Sequence, residues 1–360
     1  LKRNLLVLLF LLSLALIGTA VALPELYQQY LPEPVLDGAM RTQAIDTLVA
    51  RLNQHYVFPD TAKQIETLLR KQQHDGKYDA MTNGEQFAAQ LTADMASVAH
   101  DLHMKVKFSA RLLHPGRELV AMTNATPHAA RDHKYGVDNV DHLSPAIGYL
   151  RISAFPLPSL VAAKYASAMD RLSDTDALII DVRDNHGGSP ESVALLISYF
   201  VDRPTRLNDI WSRDSGRTAQ TWTEYELDGK RYGGKKPVVI LAGPGTASAG
   251  EGFTYTMQAL KRATVIGERT WGGAHPIALY RLSDHFFAAI PHSRSISPIT
   301  HTNWEGSRVT PDVKTPPANA LAVAKDLLQR QLSAVVTLHV ESRIAPARAS
   351  IALKKSGSGR

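Results

Sequence analysis

Two short runs constrain the fold more than anything else in the chain. Ala177-Leu178-Ile179-Ile180-Asp181-Val182 and Val238-Val239-Ile240-Leu241 are apolar almost throughout and rich in β-branched residues. A strand that is apolar on both faces must be covered on both faces, which is the condition of a central parallel strand. The first run leads to the turn Asn185-His186-Gly187-Gly188 and the second to Gly243-Pro244-Gly245, and helix-forming composition follows each turn. Strand–turn–helix units repeated in this way form right-handed βαβ crossovers, so the fold class expected is α/β.

Other segments extend the pattern. Strands are expected at 147–152, 264–266, 277–282 and 286–290, with one or two more within 207–227, and helices at 160–172, 191–201, 249–262 and 318–332. Ahead of them, apolar residues recur at helical spacing in three stretches: Ile45, Leu48, Val49 and Leu52; Ile65, Leu68 and Leu69; Phe87, Leu91, Met95 and Val98. Joined by His-Asp-Gly and Thr-Asn-Gly turns, they predict a small helical bundle, and Lys105–Phe108 then alternates like a strand. Residues 109–145, rich in Pro, His, Asp and Asn, read as a loop-rich connector with room for a hairpin. The organisation expected is a leader at 1–22, a helical domain at 23–108, the connector at 109–145, an α/β core at 146–335 and a basic tail without fixed structure at 336–360.

Lys2 and Arg3, the apolar run Leu5–Ile17 and then Ala20-Val21-Ala22 have the order of a secretory signal peptide cleaved after Ala22. This predicts a periplasmic or secreted protein with no membrane association beyond that segment. The alternative is an uncleaved anchor, although the run is short for a spanning helix. The chain has no cysteine, which excludes disulfides, thiol catalysis and cysteine-ligated zinc. Its net charge of +6 resides in Lys2, Arg3 and the basic residues of 341–360, leaving the body of the chain formally neutral. Nucleic-acid binding is therefore not expected.

Ser248 falls where a strand has ended and a helix begins, the position at which parallel α/β sheets bind ligands. The helix N-terminus there offers free N–H groups and positive partial charge to a developing oxyanion. Ser248 with Glu251 three residues on also reads as a capping box, which needs no catalysis. No Lys-Ser/Thr follows the glycines, so this is not a phosphate loop. Gly187 and Gly188 permit close backbone approach, and the N–H of either, with that of Ala249, would form an oxyanion hole. Asp184 and His186 are two metal-ligand types without a third nearby, and no metal is expected.

Four blocks, taken together, resemble the tail-specific (C-terminal-processing) serine protease family. They are Tyr149-Leu150-Arg151-Ile152 with Phe155; Asp181 through Asn185-His186-Gly187-Gly188; Gly245-Thr246-Ala247-Ser248-Ala249-Gly250-Glu251; and Val265 through Gly267-Glu268-Arg269-Thr270-Trp271-Gly272-Gly273. Val309-Thr310-Pro311-Asp312 extends the likeness to roughly 146–330. Residues 38–103 resemble the N-terminal domain of the branch that includes interphotoreceptor retinoid-binding protein. The resemblance implies a crotonase/ClpP-like ββα-type core, a serine hydrolase acting on peptide or protein substrates, and no cofactor.

Two departures follow from the same comparison. The connector is too short for the regulatory PDZ domain of many members. The lysine of their serine–lysine dyad falls at Gly273, and Lys261 stands about 20 Å along the helix from Ser248. The tricorn protease core, a relative, implies another arrangement: His103 as base, Ser248 as nucleophile and Glu305 orienting the histidine. His275 and His186 are the competing bases, and a surface pair with Arg308 is the competing role for Glu305. The rival from a different class is a non-catalytic binding protein, for a lipid, a retinoid-like ligand or a peptide, on the same scaffold. Acyl-thioester chemistry, which a crotonase-like core also suggests, is set aside by the expected export.

Overall fold

The computed structural model describes residues 34–113 and 136–334. The expected leader, its cleavage point and the whole basic tail lie outside the described residues. The described residues divide into two compact units, one of 34–113 with 277–292 and one of 136–276 with 293–334.

In the first unit, helices α1 (Gly38–His55), α2 (Pro59–His74) and α3 (Gly84–Ala99) bury the predicted stripes except Leu68 and Val98, which are half-buried. Their starts are written in the sequence. Asp37 Oδ1 accepts the Met40 N–H at 2.8 Å, Asn83 Oδ1 accepts that of Gln86 at 2.9 Å, and Pro59 opens α2. Strand β1 (Lys105–Phe108) does not stand alone. It pairs antiparallel with β10 (Phe286–Pro291), which pairs antiparallel with β9 (Ile277–Arg281). The hairpin 277–291, which its place in the sequence assigns to the α/β core, thus completes a three-stranded sheet beside the helices. Phe286 anchors it, with ring centroids 5.6 Å from Phe87 and 5.2 Å from Phe108. Full burial of a side chain such as Phe286 contributes roughly 1.5–3 kcal/mol.

The second unit is built on a six-stranded sheet of order β12-β8-β7-β4-β3-β2. Its strands are β2 (Val137–Ser144), β3 (Ile147–Ile152), β4 (Ala177–Asp181), β7 (Val238–Ala242), β8 (Thr264–Gly267) and β12 (Val313–Lys314). All neighbours are parallel except β2, which runs antiparallel to β3 at the edge. The sheet therefore begins inside the stretch that reads as connector.

The two-sided apolar runs sit where expected, at the centre. Leu178, Ile180, Val238 and Ile240 face α4 (Pro158–Leu172), α5 (Pro190–Ser198) and α6 (Ala249–Ala259). Ala177, Ile179, Val239 and Leu241 face the opposite way, onto Ala320, Ala324 and Leu328 of α7, the helix at 317–334. The stretch 207–227 supplies two strands, β5 (Arg206–Ser212) and β6 (Arg217–Trp222). With β11 (Ser293–Ile296) they form a small antiparallel sheet of order β11-β5-β6. The turns after β4 and β7 leave the carboxyl edge of the parallel sheet side by side.

Candidate active site

Ser248 occupies the turn between β7 and α6 with φ 53° and ψ −118°. A side chain at positive φ outside the helical left-handed well costs of order 1–3 kcal/mol and persists only where surroundings enforce it. The surroundings are specific. The Thr246 hydroxyl donates to Val182 O at 2.8 Å, the Ala247 N–H to Asn185 O at 2.8 Å, and the Trp271 N–H to Thr246 O at 3.0 Å. These bonds tie the serine turn to the β4 turn and to the loop after β8. Strained strand-to-helix turns present the nucleophilic serine in α/β-hydrolases.

Glu251 holds the turn from below. Its carboxylate is fully buried and accepts four bonds: from Ser248 N at 2.9 Å and Gly273 N at 3.0 Å on Oε2, and from Thr270 Oγ1 at 2.5 Å and Gly272 N at 2.6 Å on Oε1. The Glu251 half of the predicted capping box is therefore real. Three of its four partners, however, lie in the glycine loop 19 to 22 residues further on. Burial pushes the Glu251 carboxyl above its ordinary value, against the lowering effect of those four donors.

The β4 turn approaches the serine closely. A Cβ on Gly187 would lie 2.7 Å from Ser248 Cβ, and one on Gly188 would lie 2.0 Å from Phe155 O; the glycines have φ of 94° and 135°. Only residues without a side chain fit there. Asn185, fully buried, fixes this turn: its Oδ1 accepts the Gly187 N–H at 2.9 Å and its Nδ2 donates to Ile152 O at 3.0 Å. The Gly187 N–H is thus engaged by Asn185. The other two N–H groups expected to serve an oxyanion are those of Gly188 and Ala249. Neither N–H has a hydrogen-bond partner among the described residues, and Ala249 is the first residue of α6, whose N–H has no partner within the helix.

Gly188, Ser248, Ala249, Ala274, His275 and Trp304 border one cleft of about 550 Å³, walled on its apolar side by Val193, Ile197, Leu207 and Ile210. His275 is buried, with Nδ1 3.5 Å from Glu305 Oε2. Glu305 is held in turn: Oε2 accepts the Ala274 N–H at 2.5 Å, and its own N–H donates to Asn303 Oδ1 at 2.9 Å. Trp304 Nε1 donates to Gly273 O at 2.7 Å. With Gly273 N on Glu251, both backbone groups of Gly273 are engaged. Lys261 lies in the turn just after α6 and borders a separate surface cleft with Lys235 and Lys236. His186 is exposed, and its neighbour Asp184 pairs with Arg151 at 2.8 Å. His103 belongs to the first unit, half-buried in the turn between α3 and β1, with its N–H on Asp101 Oδ1 at 3.1 Å.

Behind the turns, Asp181 accepts the Tyr149 hydroxyl at 2.7 Å and two Arg183 guanidinium bonds at 2.6 and 2.9 Å, and Arg183 also donates to Pro317 O. Burial opposes ionisation of Asp181, but Arg183 and Tyr149 prevail and hold its carboxyl below the usual range. Burial beside Asp181 pushes the Tyr149 phenol up to about 12.

Comparison with known proteins now gives this geometry a family. Residues 146–315 match peptidase family S41, and residues 39–140 match the N-terminal domain of peptidase S41 in eukaryotic IRBP. The chain belongs to peptidase family S41. Among curated relatives, carboxyl-terminal-processing peptidase 2, chloroplastic, of Arabidopsis thaliana is 30% identical over 182 residues, covering 48% of this chain and 32% of that protein. The matched stretch thus spans about a third of the relative's own length. Two solved structures share the fold. The photosystem II D1 C-terminal processing protease superposes with a TM-score of 0.50 at 17% identity over 77% of this chain and 93% of its own. The tricorn protease does so with a TM-score of 0.51 at 14% identity over 82% and 37%. No helix among the described residues of this S41 chain is long and apolar enough to cross a membrane.

Proposed function

We propose that this S41 chain is an exported serine-type peptidase whose nucleophile is Ser248. The observation that carries the reading is the convergence at that residue: Ser248, held in a strained turn, borders a cleft together with Gly188 and Ala249, whose N–H groups have no hydrogen-bond partner among the described residues. The serine Oγ attacks the scissile carbonyl as a histidine ring nitrogen takes its proton. Gly188 and Ala249 hold the resulting oxyanion. Collapse breaks the C–N bond, the histidine returns the proton to the leaving amine, and water then releases the acyl group by the same steps. The reading needs no cofactor. Its substrates are peptides or proteins, as the names of the family's characterised members imply.

His103 is the proposed base, on the likeness of its place in the chain to the tricorn arrangement, with Glu305 orienting it. A second assignment, His275, is favoured by its contact with Glu305 and its place beside Ser248 in the cleft. Export rests on the order of residues 2–22, and a mature chain beginning at Leu23 outside the cytoplasm is its measurable form.

A fluorophosphonate probe tests the whole reading. Labelling of the purified chain that disappears in Ser248→Ala supports a serine hydrolase. Absence of labelling, with retained binding of an apolar ligand, favours the non-catalytic alternative, which the match of 39–140 to the IRBP domain and the glycine at 273 also favour.

A further inference from the structure

We infer that the cleft beside Ser248 selects the side chain on the acyl side of the scissile bond, and that Thr256 with Asn208 makes it select a long, uncharged side chain with a hydrogen-bonding tip, of the tyrosine or glutamine kind. The inference rests on Ser248 being the nucleophile.

Ser248, Gly252 and Thr256 are spaced four residues apart and fall on one face of α6, and all three border the cleft. At Gly252 a Cβ would stand 3.2 Å from Trp304 Cη2, so the indole lies against the helix there and forms part of the cleft wall. The cleft follows the helix from Ser248 to Thr256, about 12 Å at 1.5 Å per residue. A short side chain entering beside Ser248 would leave the far end without contacts, and a long one would fill it. Val193, Ile197 and Leu207 along the groove suit an apolar stem.

The far end is not apolar. Asn208 Nδ2 donates to Thr256 Oγ1 at 2.9 Å, joining β5 to α6 across the cleft. That bond uses one of two amide hydrogens of Asn208 and one acceptor site of Thr256. Neither side chain makes another hydrogen bond among the described residues. The Thr256 hydroxyl hydrogen, the second Asn208 N–H and the Asn208 carbonyl remain for a ligand, offering both donors and an acceptor. No Asp, Glu, Lys or Arg borders the cleft. A charged side chain would lose its water there with no counter-ion, which is strongly unfavourable.

The test uses peptidyl phosphonates that differ only in the side chain next to phosphorus, with the second-order rate of Ser248 modification as readout on the full chain. Two isosteric pairs, Tyr against Phe and Gln against Met, isolate the polar tip; Asp and Lys analogues test charge. Tyr is expected to exceed Phe, and Gln to exceed Met, by about three- to tenfold, and Asp and Lys to fall at least about a hundredfold below. Thr256→Val should bring both ratios to about one, and Asn208→Leu should lower them. Ratios of one in the unaltered chain, ratios that Thr256→Val leaves in place, or a preference for a charged side chain would overturn the assignment while Ser248 labelling stands. Failure of every phosphonate, and of a fluorophosphonate, to modify Ser248 would remove the nucleophile and the pocket assignment together.

Discussion

Glu251 Oε2 accepts the backbone N–H of Ser248 at 2.9 Å, from a position wholly shielded from solvent. Through this bond the serine turn and the loop 270–273 share one carboxylate. Glu251→Gln keeps the shape but places an amide donor against two existing donors, whichever way the amide is turned. Each stranded donor costs about 1–3 kcal/mol. Displacing the nucleophile by about 1 Å costs on the order of a hundredfold in rate. We expect kcat to fall by that order with KM little changed, alongside a lower melting temperature. A lower melting temperature with kcat intact would confine Glu251 to stability.

The same group sets a pH dependence. Its carboxyl is raised in the fold above its ordinary value by burial, so the folded state binds the proton more tightly than the unfolded chain. Its contribution to stability therefore declines as pH rises from about 4.5 to the folded value. In Glu251→Gln that part of the stability-against-pH curve should flatten, as read by denaturant titration at several pH values.

Replacement of Ser248 separates chemistry from backbone strain. Ser248→Ala should lower kcat by a factor on the order of 10⁶ if the site acts as a unit. Ser248→Gly should be equally inactive, yet more stable than Ser248→Ala by about 1 kcal/mol, because glycine tolerates φ 53°. Thermal denaturation of the two inactive variants side by side measures the strain. Equal melting temperatures would mean that the turn is not held against its preference.

The base is decided by substitution. If His103 serves Ser248, His103→Ala loses nearly as much activity as Ser248→Ala, and the double variant is little worse than either. Glu305→Gln falls less far, since it disturbs orientation and leaves the base in place. Activity should rise with pH, because the base works only without its proton. Should His103→Ala keep most activity and His275→Ala lose it, the base is the histidine that meets Glu305 within the second unit.

Asp181 sets the acid limb of stability. Its folded carboxyl lies below its ordinary value, so it stabilises the fold above the unfolded value and ceases to as pH falls through the folded value. Asp181→Asn leaves Arg183 without its charged partner and should cost about 3–5 kcal/mol at neutral pH. The loss of stability below about pH 4 should become shallower in the same variant. An unchanged acid limb would mean that other carboxylates govern it.

What the sequence showed depended on whether the cause was local. The central strands were legible because both faces are covered, which leaves a continuous apolar run, and the helices because their stripes are buried. β2 was less so: its outward positions carry Asp138, Asn139, Asp141 and His142, and register shifts at Val137/Asn139 and His142/Ser144 interrupt the alternation. β11, Ser-Arg-Ser-Ile, has almost no apolar signal and exists through its pairing with β5. Ser248 and the paired glycines stood out as a motif. The engagement of Gly187 by Asn185, the far partners of Glu251 and the Asn208–Thr256 bond did not, because each joins residues through their backbone course or across long separations.

The hairpin 277–291 makes the order of synthesis matter. β1 pairs with a strand that leaves the ribosome about 180 residues later, roughly 10–35 s at ~5–20 residues per second. Throughout that interval the first unit has its helices but not its sheet, and Val106 and Phe108 lack the strand that pairs with them in the finished fold. The N-terminal unit is therefore finished only after most of the α/β unit has emerged. A chain terminated before Ile277 loses part of both units at once. The two halves of this protein are separate in their cores but share one timetable.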